Sequence, residues 1–252
     1  MRGMIRDPRK VAVHPVCHDS GCRTYVVVAP ETREAVVIDP LLETLADTVA
    51  RLDEQKADLR YVIDTHSHAD HVSGAVALRD RRGGELVTPA THALAAAATT
   101  VTGGERLPFG EHGLLVHHAP GNAVDAIVIE AEGAFFTGDT LLIGTVGLQD
   151  TGSVDGSAWF ETIDRIFGPA PDETVIHPGH DDMGRVMTTL KGERTGNMWL
   201  REDDLEKFLA RVRADDRDLR KDRARVLEVN REGVTRMPGD LEPAAGLAAP
   251  AD

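Results

Sequence analysis

Thr65-His66-Ser67-His68-Ala69-Asp70-His71 follows directly on the apolar run Tyr61-Val62-Ile63-Asp64. Three imidazoles and a carboxylate therefore fall within six residues at the end of a strand-like segment. Neutral imidazole is the commonest metal ligand and suits zinc, iron, copper and nickel. In an extended segment alternate side chains share a face, so His66 and His68 lie on one side and can grip one ion together. Asp70 and His71 come where the chain must turn and can reach a second ion nearby. The plain alternative is a solvated histidine-rich loop, but such a loop has no reason to adopt this spacing immediately after a strand.

Working outward, Leu59 to Ile63 is the strand that delivers the motif. Upstream, Thr24 to Ala29 and Ala35 to Asp39 are β-branched runs split by Pro30-Glu31-Thr32-Arg33, which predicts a hairpin. Leu45, Val49 and Leu52 recur at helical spacing, whereas residues 1–22 read as irregular. Downstream, a short helix over Val72 to Leu78 ends at Arg82-Gly83-Gly84, Leu86-Val87 is a short strand, and Thr91 to Ala98 is an alanine-rich helix. Leu114-Leu115-Val116 is a strand, and Ala126 to Ile129 with Ala134 to Phe136 form a second hairpin. Ser157 to Phe167 is a helix and Thr174-Val175-Ile176 a strand.

Leu205, Phe208, Leu209 and Val212 predict an amphipathic helix with one core-facing stripe. Arg211 to Arg225 reads as a solvated, mixed-charge helical face, and Pro243 to Asp252 as disordered. Strand-rich and helix-bearing stretches alternate twice, which suggests two similar β/α halves in a four-layer body. Residues 1–200 then form one domain, 201–240 a helical extension packing on it, and 241–252 a disordered tail.

The chain has 252 residues, 41% of them hydrophobic and 28% charged, enough for one large core of ordinary globular balance. Aromatic residues are only 4%, so that core must be mostly Val, Leu, Ile and Ala. A formal net charge of −14 argues against a nucleic-acid backbone or an anionic membrane as partner. Cys17 and Cys22 are the only cysteines, which is no disulfide framework. They flank His18, with His14 close by, but no metal-knuckle spacing is present, so two ordinary thiols near the core edge are expected. Met1 to Pro8 has no apolar core of signal-peptide length, and no run approaches the roughly 20 apolar residues of a membrane span. A cytoplasmic protein is the expectation.

One pattern repeats: an apolar strand ends and a candidate ligand follows at once. It occurs at His66 and His68, at Asn122, at Asp139 after Phe135-Phe136-Thr137-Gly138, and at His180 in Pro178-Gly179-His180. Strand ends gathered on one edge of a sheet bring sequence-distant residues together. A carboxylate at Asp139 can bridge two ions, one oxygen facing each.

These residues resemble the metallo-β-lactamase superfamily, with its H-x-H-x-D-H signature, an Asp after a strand and a late His. Within it, Thr32 to Pro40, Gly138-Asp139-Thr140-Leu141-Leu142-Ile143-Gly144 and Pro178-Gly179-His180-Asp181 resemble persulfide dioxygenases and glyoxalase II-type thioester hydrolases. The resemblance covers about residues 20 to 200. It implies an αββα four-layer sandwich with a C-terminal helical extension, and one or two Fe(II) or Zn(II) ions. It implies one ion at His66, His68 and a histidine within the stretch matching Ala119 to Ala123. The other ion falls to Asp70, His71 and His180, with Asp139 shared. In the persulfide dioxygenases one iron is instead held by the residues matching His66, that later histidine and Asp139, a face with open positions for oxygen and substrate. A small, sulfur-containing substrate and a homodimer are further implications.

The chain departs from the pattern at Ala119-Pro120-Gly121-Asn122-Ala123, where the family reads T-P-G-H-T. A neutral amide oxygen is a poorer transition-metal ligand than imidazole, so Asn122 marks a substituted ligand position. His117 and His118 lie on the preceding strand, but using either requires a change of register. At Gly147-Leu148-Gln149-Asp150 the family commonly has G-R-T-D, so a fixed cation is missing. His177 reads as a strand-end residue bonded to backbone.

Two enzymatic chemistries follow. In the hydrolytic one, a metal lowers the pKa of bound water to about 7, Asp70 orients the nucleophile or accepts its proton, and a thioester suits because thiolate leaves readily. In the oxidative one, Fe(II) at His66 and Asp139, with His68 or Asn122, binds dioxygen and a persulfide or thiol. A binding module that kept the fold and lost turnover is the third class.

Overall fold

The computed structural model describes residues 10–90, 94, 99–149, 156–215 and 221–241. The first sheet has the order β1 (Ala12–Cys17), β2 (Arg23–Val28), β3 (Glu34–Ile38), β4 (Asp58–Ile63), β5 (Glu85–Pro89) and β6 (Thr99–Val101). Its first three strands are antiparallel neighbours, and β3 to β6 run parallel. The second sheet runs, edge to edge, β12 (Thr188–Thr189), β11 (Val175–Pro178), β10 (Ala134–Gly138), β9 (Ile127–Ala131), β8 (His112–His118) and β7 (Arg106–Phe109). Only β10 and β11 are parallel in it.

The alternation along the strands explains how the layers stack. Tyr25, Val27, Val36, Ile38, Tyr61 and Ile63 point between the sheets, where they meet Phe109, Leu114, Val116, Ile127, Ile129 and Phe136. Their neighbours Val26, Val28, Ala35, Val37 and Val62 point the other way, onto α1 (Leu45–Gln55) and α2 (Ala75–Arg82). On the second sheet's outer face, Val128, Phe135 and Ile176 meet α3 (Gly156–Phe167), α4 (Leu190–Gly196) and α5 (Leu205–Ala214). Full burial of each aliphatic side chain is worth about 1.5–3 kcal/mol. A one-residue slip would exchange the two layers, so register is tightly specified. The result is the αββα sandwich the sequence implied. The few aromatic residues concentrate on the outer face, where Trp159 and Trp199 stack at 6.3 Å and Phe208 meets Trp199 edge-on at 5.3 Å.

Several sequence expectations need correction. Residues 12–17 are not irregular: they form β1, an edge strand on which Pro15 costs no central ladder bond. The helix after the motif begins at Ala75, not Val72, because Val72 and Gly74 are tied to the backbone of Leu42 and Pro40. β6, β7, β12 and α4 were not anticipated. On α5 only Phe208 is buried; Leu205 is 38% exposed. Arg223–Glu232 is a further helix, α6, that overlaps the expected mixed-charge face only at its first turn and was not itself anticipated: Val226 and Val229 pack against Val72. The expected helix over 91–98, Leu94 apart, and the tail from 242 lie outside the described residues. No helix among the described residues is long and apolar enough to cross a membrane.

Candidate metal centre

The expected residues converge where β3, β4, β10 and β11 end, joined by the loop between β8 and β9. His66, His68, Asp70, His71, Asp139 and His180 are all buried. The ring centroids of His66 and His68 are 4.2 Å apart, those of His68 and His71 4.1 Å, and those of His71 and His180 6.5 Å. Ligating atoms of His66, His68 and Asp70 lie within 4.8 Å of one another, as do those of Cys22, Asp70 and His71, and those of Asp39, Asp64 and His68. Each trio can hold a metal ion.

Each histidine of the motif has one ring nitrogen tied and the other without a hydrogen-bond partner. His66 Nδ1 meets Thr65 Oγ1 at 3.0 Å, His68 Nε2 meets Asp39 Oδ1 at 3.2 Å, and His71 Nδ1 meets Asp70 Oδ2 at 2.6 Å. The opposite nitrogens, His66 Nε2, His68 Nδ1 and His71 Nε2, are buried and unbonded. Metal-ligating histidines show this division of labour, one nitrogen fixed by a protein acceptor and one left for the ion. Leaving three buried imidazole nitrogens unpaired is costly otherwise.

Asp39 organises this side. It accepts from the Thr65 backbone N–H at 2.7 Å and from Thr65 Oγ1 at 2.8 Å, besides facing His68. Its φ of 48° is a left-handed conformation that Asp tolerates better than most residues. Burial opposes ionisation of Asp39, but His68 and His66 beside it hold its carboxyl below the usual range. Burial and the neighbouring His68 push His66 down to about 4, which keeps it neutral and ready to ligate. Asp125 takes the Ser67 backbone N–H and hydroxyl, stapling the motif loop to the loop that carries Asn122.

On the other side, His180 donates at both nitrogens: Nδ1 lies 3.0 Å from Asp139 Oδ1 and Nε2 3.1 Å from Asp70 Oδ2. Burial disfavours charge on all four groups. His71 and His180 nevertheless hold the Asp70 carboxyl low, and His180 and His66 hold Asp139 low; Asp70 and Cys22 hold His71 high, and Cys22, Asp139 and Asp70 hold His180 high. Two glycines permit the approach. A Cβ at Gly179 would lie 2.6 Å from Asp139 Oδ1, and Gly138, at φ 47°, would drive one into Thr65.

The structure also brings in residues that the sequence reading left outside the site. Cys22 is buried, unlike the exposed Cys17, and its Sγ lies 3.0 Å from His180 Nε2. Burial alone would raise this thiol, but His180 and His71 pull it down to about 6. It is therefore not an ordinary thiol at the core edge. Asn230 on α6 donates to the backbone carbonyls of His68 and His71, both at 2.9 Å, and accepts from the Ser73 N–H at 2.9 Å. Asp39 and Asp125 carried the local signal of an acid after a strand or in a loop; Asn230 carried none.

Asn122 is fully buried, and neither end of its amide has a hydrogen-bond partner. Such a group costs about 1–3 kcal/mol, a cost that an ion or a bound water would offset. Leu148 is buried, and the preceding Gly147 N–H bonds the Asp139 carbonyl at 2.8 Å. His177 is a packing residue: it stacks on Phe136 at 4.9 Å and its Nδ1 faces the Val186 carbonyl at 3.3 Å. A groove of about 1020 Å³ around the starts of β10 and β11 contains none of the candidate ligands.

Comparison with known proteins agrees with this architecture. The family model described as Metallo-beta-lactamase superfamily matches residues 19–219. The mitochondrial persulfide dioxygenase ETHE1 of Homo sapiens is 31% identical over 176 residues, 69% of either chain. A hydroxyacylglutathione hydrolase of Polaromonas sp. is 30% identical over 163 residues, 62% of this chain and 61% of that one. The crystal structure of ETHE1 from Myxococcus xanthus superposes with a TM-score of 0.82 at 29% identity, covering 87% of this chain and 98% of that one. A match across the whole sandwich means that the chain belongs to the metallo-beta-lactamase superfamily.

Proposed function

We propose that this chain is a metal-dependent enzyme that oxidises a small sulfur-containing substrate, a persulfide or thiol, with a metal centre that has diverged from the family pattern. One observation carries the reading: the unbonded, buried nitrogens of His66, His68 and His71 converge at one strand edge. The likeness to persulfide dioxygenases, over most of the chain, directs it to sulfur oxidation. His66, His68 and Asp139 would hold an ion on one side; Asp70, His71 and His180 would hold one on the other. Their nitrogen and oxygen donors suit Fe(II) or Zn(II). Such an ion would supply Lewis-acid or redox chemistry to a bound sulfur substrate.

The chain's own residues do the rest. Thr65 and Asp39 fix the ring orientations of His66 and His68, while Asp125 and Asn230 hold the loop between them. Burial of the whole set excludes bulk water, and Asp70, held ionised, is suited to orienting a proton-bearing group beside it. The second reading is thioester hydrolysis: Asn122 removes one of three donors from the single-iron pattern, whereas a two-ion pattern, which loses the same imidazole at one ion, keeps Asp70, His71, Asp139 and His180 for the other.

Metal analysis of protein purified without added metal tests the proposal, with oxygen uptake measured on a low-molecular-weight persulfide. Bound iron, chelator-sensitive oxygen uptake and an oxidised sulfur product are expected. Bound zinc with anaerobic thioester cleavage overturns oxidation in favour of hydrolysis, and a folded protein that holds no ion leaves only a binding module.

A further inference from the structure

Cys22 reaches the centre by backbone design. The Arg23 N–H donates to the Gly179 carbonyl at 2.8 Å and the Asp181 N–H donates to the Gly21 carbonyl at 3.0 Å. These two bonds set Cys22 opposite His180 in an antiparallel bridge. The buried Arg23 guanidinium reinforces the seam, donating to the Cys22 carbonyl at 3.1 Å and to the Asp181 carbonyl at 2.6 Å. The Cys22 side chain then falls among candidate ligands, with Sγ 3.0 Å from His180 Nε2 and 3.7 Å from Asp70 Oδ2. Its sulfur forms a trio within 4.8 Å with Asp70 and His71. His71 adds a separate pointer to a ligand, because its Nε2 is buried with no hydrogen-bond partner. On the side away from the centre, Ser20 Oγ donates to the sulfur at 3.0 Å, as a hydroxyl does to a thiolate.

We propose that Cys22 is a ligand of the ion held by Asp70, His71 and His180, so that this side of the centre is a thiolate site. The inference rests on the reading of these loops as a metal centre and not on which reaction the centre runs. On ligation the thiol gives its proton to solvent and its sulfur lone pair to the metal, with no change of oxidation state. A thiolate joined to imidazole and carboxylate donors favours zinc or another borderline ion over a purely oxygen-seeking one.

Cobalt(II) titration tests this in full-length protein carrying Cys17→Ser, which removes the exposed thiol. A thiolate-to-cobalt charge-transfer band in the near ultraviolet is expected. Adding Cys22→Ser should abolish that band while the ligand-field bands of bound cobalt remain. Affinity should fall by at least the roughly 10–100-fold that follows loss of a supporting residue. Cobalt bound to the Cys17→Ser protein without a charge-transfer band overturns the assignment and leaves the metal centre standing. So does equal affinity in the Cys22→Ser variant. If neither protein binds cobalt, zinc or iron, the metal-centre reading itself fails and the Cys22 assignment with it. The band is read on protein that retains Cys22, so the proposal stays testable even if the Cys22→Ser variant folds poorly.

Discussion

On the loop that Asp125 staples to the His66–His68 segment, the amide of Asn122 is buried without a partner. On the side built from Asp70, His71 and His180, a thiol that the motif did not announce lies 3.0 Å from an imidazole. One side therefore offers a neutral amide as its nearby extra group and the other offers a thiol. The same fold can shift an ion's preferred position by exchanging single residues at strand ends, leaving the sandwich beneath untouched. If that is so, the Asp70 side should bind the first ion and the His66 side should bind weakly or not at all.

The largest expected effect comes from Asp70→Asn, which keeps the shape but removes the charge that meets both His71 and His180. Losing one partner of a buried charge pair costs about 3–5 kcal/mol. Metal should be absent from the purified variant on that side, and turnover should fall on the order of a thousandfold. Metal content equal to that of the parent would break the comparison outright.

Asn122→His should sharpen it from the other direction. An imidazole there would give the His66 side a further donor, and metal titration should show binding there tightened by roughly tenfold or more. Unchanged titration would mean that the two sides do not differ by this ligand.

Asn230→Ala should have a smaller effect, shared by both sides, because the lost hydrogen bonds hold backbone and touch no candidate ligand atom. The carbonyls of His68 and His71 and the Ser73 N–H would lose their partner. A drop of about 1–3 kcal/mol in unfolding free energy is expected, with metal affinity weakened as well. A loss of metal affinity without loss of stability would mean that Asn230 acts on the ion and not on the loop.

The smallest effect lies outside the centre. His177 is pushed down to about 4 by burial, so it stays neutral in the fold while the unfolded chain's imidazole protonates near 6.5. Its contribution to stability is full above that value and is lost as pH falls through about 4. Denaturant melts of metal-free His177→Phe should therefore lose less stability on acidification than the parent. Parallel curves would rule His177 out as a source of acid sensitivity.

How much of this was legible in the sequence depends on range. β2, β3 and β4 announce themselves through β-branched runs, and the motif through its spacing, because both signals lie within a few residues. Asp139 and His180 were readable for the same reason, each directly following an apolar strand. β1 was not readable: Ala12–Cys17 carries Pro15 and gains its ladder only from β2. α6 hid behind its charge, since only Val226, Val229 and Asn230 along it are buried. Cys22 was unreadable because its partner lies 158 positions away and is reached through a backbone pairing no local pattern encodes.

Asn230 has one more consequence, for the order in which the molecule is made. The motif loop is synthesised early, yet three of its backbone groups wait for a side chain more than 150 residues downstream. While the ribosome is still short of Arg223, the histidine loop lacks that brace. Any ion that this loop holds would then gain its full seat only on arrival of α6, the last helix among the described residues, and a nascent chain would be poorly equipped to trap metal before its fold can close around it.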